Sequence, residues 1–272
     1  MGLRRERRWV KQVAARPCKV RLCRPMQRNV KELFVLNPQL DRDALAQRFA
    51  MNGRVQVRDV LTRETAGELR MILQQQTPWG MAIQCGEQGK PQSFRREQIA
   101  SGQVEAVNRL ANEAHRYAAR GEYAFRFAHY PMVLAYQEKW APDGPHDVLI
   151  EHLNAEPFLD LARAVTGIAE LKKADGQATL FAPQHFLGRH IDSHVAEGWR
   201  VAYVLNLTVD DWHPDWGGYL MFLNEDGDVV EGFRPRFNSL NLFAVPQSHL
   251  VSYVPPFAPL GRYAVTGWLR DR

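Results

Sequence analysis

This sequence predicts a β-barrel in the last third of the chain, supported by helices and a few strands ahead of it. Three observations lead there. From Ala178 onward, short apolar runs alternate with turn residues at the spacing of an all-β sandwich or barrel. Before that point, two stretches repeat their apolar residues at the helical period of 3.6. No internal repeat or low-complexity segment divides the chain, so residues 31–272 read as one domain, with 31–177 as support and 178–272 as the β core.

Asp41 to Ala50 is helix-like, and the alternation of Arg54–Val60 is that of a strand. A helix should follow from about Arg63, with Thr65 and Glu68 offering a capping box. Residues 76–102 read as loop. Val107, Leu110, Ala111, Ala114, Tyr117 and Ala118 mark the next helix, which Gly121 ends. Tyr123, Phe125, Phe127 and His129 then alternate as a half-buried strand, expected to face core rather than a substrate groove, except at His129. A connection from Tyr130 to Leu153 carries three prolines, and loops of that length are often functional. Phe158, Leu161, Ala162 and Val165 form the stripe of a helix with Pro157 in its first turn and Gly167 past its end. The strands expected after it run through ATLFAPQHFLGRHID, VAYVLNL, GYLMFL, VVEGF, SLNLFAV, HLVSYV and RYAVTGWLR.

The chain has 272 residues, 45% hydrophobic and 24% charged, which leaves ample material for a core. No run approaches about 18 consecutive apolar residues, so no membrane helix is expected. Three cysteines are too few for a disulfide scaffold and lack metal-ligand spacing, so a reducing cytoplasmic setting is expected. The net charge of +5 is concentrated at the start, where residues 1–28 carry ten Lys/Arg against Glu6. The remainder holds 25 basic and 29 acidic residues, a mildly acidic body that disfavours a nucleic-acid partner. Residues 1–30 read as a disordered basic extension, with Met26 a candidate for the true start, and match neither a secretory nor a myristoylation signal.

His190-Ile191-Asp192 carries the first chemistry. In a strand, residues i and i+2 share a face, so the imidazole and the carboxylate can grip one metal ion. Nine His and 14 Asp give about half such a tripeptide by chance, so it needs support. His249 supplies it, opening a strand after the turn Val245–Ser248. Two His and one carboxylate on one face of an octahedral ion form the facial triad of non-haem Fe(II) oxygenases, with three positions left open. A 2-oxoglutarate cosubstrate would fill two of these and O₂ the third. Its far carboxylate then needs a cation, and Arg262 opens the last strand 13 residues after His249. Thr266, four residues on along the same face, could add a hydrogen bond.

These residues, with Thr266-Gly267-Trp268-Leu269, resemble the Fe(II)/2-oxoglutarate dioxygenases of the prolyl-hydroxylase superfamily. The nearest branch holds the ribosomal-protein prolyl 3-hydroxylases and their bacterial relatives. Asp211-Trp212-His213-Pro214-Asp215-Trp216-Gly217-Gly218-Tyr219-Leu220 and Asn238-Ser239-Leu240-Asn241-Leu242-Phe243 match the same branch, over residues 178–272 and back towards Asn37. The resemblance implies a double-stranded β-helix, a cupin-like jelly roll. It also implies His190, Asp192 and His249 as iron ligands, Arg262 as cosubstrate anchor, and Fe(II), 2-oxoglutarate, O₂ and ascorbate as cofactors. The implied substrate is a prolyl side chain, in a peptide or free. Two positions depart from the pattern: Ala264 stands where many relatives have Ser, and Asn206 where the branch often has a Tyr touching the cosubstrate. Asn206 and Thr266 are therefore secondary pocket candidates.

Other residues compete less well. His194 is spaced from His190 as a helical zinc pair, but Gly188 and the strand pattern oppose a helix there. His185 and His213 read as loop or rim residues. Trp199, Trp212 and Trp216 could line an entrance, although a packed loop sealing the barrel is the simpler reading for the last two. The rival functions are a zinc hydrolase, an oxygenase of a small metabolite or alkylated nucleic acid, and a non-catalytic metal-binding barrel. A hydrolase has no use for Arg262, a nucleic-acid demethylase would place a second Arg on the last strand, and a dead barrel would be expected to have lost a ligand.

Overall fold

The computed structural model describes residues 33–192 and 195–272. The basic segment 1–30 and His194 lie outside the described residues. In chain order the elements are α1 (Arg42–Asn52), β1 (Arg54–Arg58), α2 (Arg63–Gln75), β2 (Gly80–Cys85), β3 (Gln92–Phe94), α3 (Arg96–Gln98) and α4 (Val104–Ala119). There follow β4 (Ala124–Tyr130), α5 (Met132–Gln137), α6 (Pro145–Leu153), α7 (Glu156–Thr166), β5 (Lys173–Ala174), β6 (Gln177–Phe181) and β7 (Phe186–Ile191). The chain ends with β8 (Trp199–Leu207), β9 (Leu220–Leu223), β10 (Val229–Phe233), β11 (Phe237–Ala244), β12 (Ser248–Val251) and β13 (Arg262–Arg270).

The described strands form one antiparallel sheet in the order β1-β11-β8-β13-β6-β4-β7-β12-β9-β10, with β2 and β3 extending from β4. Its two ends, β1 and β10, are bridged by the side chains of Arg54 and Glu231 at 2.5 Å, so the sheet curls into a nearly closed barrel. β8 and β13 carry the densest buried apolar run, and Val201, Tyr203, Leu205, Val265 and Leu269 pack under α2, α6 and α7. Burial on both faces explains why β8 reads as nearly continuous apolar sequence.

All seven expected C-terminal strand segments are present. Three earlier readings change. Residues 76–102, read as loop, hold the β2–β3 hairpin and the first turns of the helix that α4 continues. The hairpin pairs Met81 with Phe94 and joins β4 through Ala82 and Phe127; its strands of six and three residues give too little periodicity to detect. The proline-bearing connection 130–153 holds α5 and α6, the latter begun by Pro145 in its first turn. Finally α2 is capped by Thr62, whose hydroxyl accepts from the Thr65 amide at 3.4 Å, rather than by Thr65 itself. Among the described residues no helix is long and apolar enough to cross a membrane.

Candidate metal centre and anion pocket

β12 runs antiparallel to β7 with His249 directly opposite His190. Directly opposed residues point to the same face, and the two ring centres lie 4.2 Å apart. Asp192 follows His190 by two and shares that face, while Ile191 between them turns outward, 55% exposed. The Asp192 oxygens lie 3.7 Å from His190 Nε2 and 3.8 Å from His249 Nε2. One donor atom from each of the three side chains falls within 4.8 Å of the others, so simple geometry gives a shared point about 2.8 Å or less from all three. A small inward rotation brings that to the ~2.0–2.2 Å that His nitrogen and carboxylate oxygen take on a transition metal.

Each ring is aimed by its own strand. His190 Nδ1 lies 3.0 Å from the Gly188 carbonyl and His249 Nδ1 lies 2.9 Å from that of Gln247. A Nδ1–H donated to a carbonyl leaves Nε2 as a bare lone pair facing the cavity. Burial, followed by the neighbouring His190, pushes the His249 imidazole down to about 4, so it is neutral at pH 7. Asp192 is fixed from the other side: the Trp268 indole N–H donates to its Oδ2 at 3.0 Å. Trp268 stacks on Trp199 with ring centres 3.9 Å apart.

The same cavity, about 780 Å³, reaches Arg262 at its far end and is also lined by Thr266. Arg262 is 2% exposed. Its Nε and Nη2 donate to Asn206 Oδ1 at 3.3 and 3.2 Å, and its guanidinium lies 5.4 Å from the Phe181 ring centre, across the β6–β13 pairing. Nη1 is buried with no hydrogen-bond partner. Burial pulls this guanidinium down to about 10, which leaves it cationic at neutral pH. A buried cation with one unsatisfied N–H group demands an anionic partner. The loop before β9 closes this end: Trp212 is fully buried, its indole donates to the Gly217 carbonyl at 2.9 Å, and Gly218 (φ 69°) sits where a Cβ would come 3.5 Å from Arg262 Cδ.

His190, Asp192, His249, Arg262 and Thr266 thus share one cavity. Asn206 is buried behind Arg262 and meets the pocket only through that guanidinium. The reading of Tyr123, Phe125 and Phe127 as core alone is corrected, because all three line the cavity between β2 and β7. Alternation gave their common face, but not which side of the sheet was hollow. Burial and then the charge of Asp192 push the Tyr123 phenol up to about 12, so it keeps its proton. His129 also lines the cavity, with Nε2 2.9 Å from Ser93 Oγ, and burial pushes its imidazole down towards the neutral form. Of the three tryptophans, Trp199 lines the cavity, whereas Trp212 and Trp216 do not. His185 bonds the turn between β6 and β7, and His213 caps a short 3₁₀ turn. Sequence reasoning missed the role of Trp268, although its place two residues beyond Thr266 put it on the cavity face.

Residues 176–270 match the model of the 2OG-Fe(II) oxygenase superfamily, and that match spans the triad, Arg262 and the strands that carry them. Over that span the β core is similar to this superfamily. Solved structures share the fold over most of the chain. A Pseudomonas putida prolyl-4-hydroxylase aligns at 20% identity and TM-score 0.50, covering 85% of this chain and 99% of its own. A Burkholderia pseudomallei 2OG-Fe(II) oxygenase-family protein aligns at 12% identity and TM-score 0.53, covering 88% and 94%. A Trichoplax adhaerens prolyl hydroxylase, solved with a hypoxia-inducible-factor peptide fragment, aligns at 15% and 0.52, covering 85% and 89%. No curated protein sequence matches the chain. The β core therefore has the double-stranded β-helix fold, and the superfamily it resembles implies Fe(II), 2-oxoglutarate and O₂.

Proposed function

We propose that residues 31–272 act as one Fe(II)- and 2-oxoglutarate-dependent dioxygenase that hydroxylates an unactivated C–H bond of a prolyl residue or proline-like substrate. One observation carries the reading: among the described residues, the only buried arginine side chain reaching the cavity of His190, Asp192 and His249 keeps Nη1 unpaired, as an anchor for a dicarboxylate requires. A zinc hydrolase could use the three metal donors but gives Arg262 no task.

In this reading His190, Asp192 and His249 would hold the metal through Nε2, a carboxylate oxygen and Nε2. When bound, ferrous ion with 2-oxoglutarate and O₂ supplies the oxidation: one oxygen atom ends in succinate, CO₂ leaves, and the other oxygen enters the substrate C–H bond. The protein's work is placement. Arg262 takes the far carboxylate of 2-oxoglutarate through Nη1, with Thr266 as a neighbouring hydroxyl donor and Asn206 holding the guanidinium still. The aromatic wall of Tyr123, Phe125 and Phe127 excludes water and offers apolar area to a ring such as pyrrolidine. Two structural relatives are described as prolyl hydroxylases, which supports proline as the first substrate to try. A reducing cytoplasmic setting, with ascorbate to keep the iron ferrous, fits the same proposal.

The test is succinate release from 2-oxoglutarate in the presence of Fe(II), screened over free proline, prolyl peptides and ribosomal protein. Succinate formation stimulated by one of the prolyl substrates is the expected result. Turnover of 2-oxoglutarate that no prolyl compound stimulates removes the substrate assignment, and its complete absence with iron bound removes the oxygenase.

A further inference from the structure

The ends of the sheet do not pair through their backbones. β1 and β10 face one another across a slot bridged by side chains: Arg54 donates to Glu231 at 2.5 Å, and the Gln56 amide donates to the Arg234 carbonyl at 3.1 Å. With α1 as one wall, the slot widens into a groove of about 1300 Å³. It shares no lining residue with the oxygenase cavity.

The charge of this groove is one-sided. Arg58 from the end of β1, and Arg234 and Arg236 from the link between β10 and β11, all line it. None of the three makes an ion pair with a described residue. Arg234 Nε is buried without a hydrogen-bond partner. Arg236 Nε donates to Gln56 Oε1 at 3.2 Å, which fixes this guanidinium, and its other nitrogens meet no acceptor among the described residues. Burial and then the charges of Arg234 and Arg58 hold Arg236 below the usual guanidinium range, so each of the two lies near enough to Arg236 to repel it. The acids lining the groove do not balance them. Glu231 is engaged by Arg54, and Asp41 caps α1 by accepting from the Ala44 amide at 3.0 Å. With the Arg54–Glu231 pair set aside, Asp41 and Asp59 face four arginines, these three and Arg48. Gathered guanidinium groups with open N–H forks are the donor set that binds oxyanions through charge-assisted hydrogen bonds.

We propose that this seam binds a phosphate-type oxyanion, free or carried as a phosphomonoester on a small molecule, with Arg58, Arg234 and Arg236 as its donors. The site stands independently of the oxygenase reading. Titration calorimetry on the full chain at constant ionic strength tests it, with inorganic phosphate and glycerol phosphate as probes. One saturable site is expected, unaffected by saturating 2-oxoglutarate. The double variant Arg234→Gln/Arg236→Gln should weaken it by roughly tenfold or more, the loss expected from a charge-assisted hydrogen bond. Arg58→Gln, at an exposed position that carries no packing, should weaken it less and decides the matter if the double variant fails to fold. Tighter binding of the ester identifies a substituted phosphate as the ligand, and equal binding identifies the free ion. Absence of saturable binding, unchanged affinity in the variants, or displacement by 2-oxoglutarate, which would place the ion at Arg262, overturns the proposal.

Discussion

The two ends of the oxygenase cavity are built on different principles. At the metal end, His190 lies on β7 and Asp192 just past its end, His249 is the direct neighbour of His190 on β12, and each imidazole is aimed by a backbone carbonyl two residues before it. At the other end, Arg262 is held by side chains from distant strands: Asn206 of β8 and Phe181 of β6, with the loop around Trp212 beneath. The metal end needs one strand pairing, β7 against β12, in the right register. The anion end exists only when four separate segments are packed. Loss at the first should therefore remove one function cleanly, whereas loss at the second should be graded.

Asp192→Ala is the sharpest test and carries the largest effect. It should abolish Fe(II) binding and succinate release while leaving the melting temperature near that of the metal-free parent; retained turnover would break the assignment. Arg262→Ala should next raise the 2-oxoglutarate KM by roughly 10–100-fold, the cost of charge-assisted hydrogen bonds, with metal affinity unchanged. Equal losses in both affinities would mean that the two ends are not separable. Trp268→Phe keeps the stack on Trp199 but removes the donor to Asp192, and should weaken Fe(II) or Co(II) binding by about tenfold. Asn206→Ala should raise the 2-oxoglutarate KM only about three- to tenfold, because it acts through Arg262.

The support around the cavity adds a smaller, pH-dependent effect. His146 is buried against Tyr130, its Nε2 2.8 Å from Thr77 Oγ1, and burial pushes it down to about 4; His185 is likewise pushed to about 4. The unfolded chain binds these protons near 6.5, so both histidines favour the folded state fully above that pH and progressively less towards 4. Urea unfolding should show stability falling over this window by on the order of 1–3 kcal/mol per histidine. His146→Gln should flatten part of the slope; an unchanged slope would show that His146 is protonated in the fold.

Legibility followed the same division. The strands from Ala178 onward could be read because turn residues punctuate them, and the His-x-Asp pair because its spacing matches the strand period. The β2–β3 hairpin and α5 and α6 could not be read, since strands of three to six residues and helices of six to nine give too few periods to stand out from a loop. The aromatic face of β4 was legible as a face, but its role depended on β2 and β7 curving around empty space.

By itself the sequence determined what depends on residues near one another in the chain: the alternation of β7, β12 and β13, the metal donors, and the one arginine placed to open an apolar strand. Only the tertiary structure decided what depends on distant segments meeting. It set which arginine nitrogen stays unpaired, that Asn206 serves the guanidinium, that Trp268 steadies Asp192, and that three arginines gather in the seam of the barrel. Hydrogen-bond satisfaction and burial are properties of the packed molecule, and no local pattern records them.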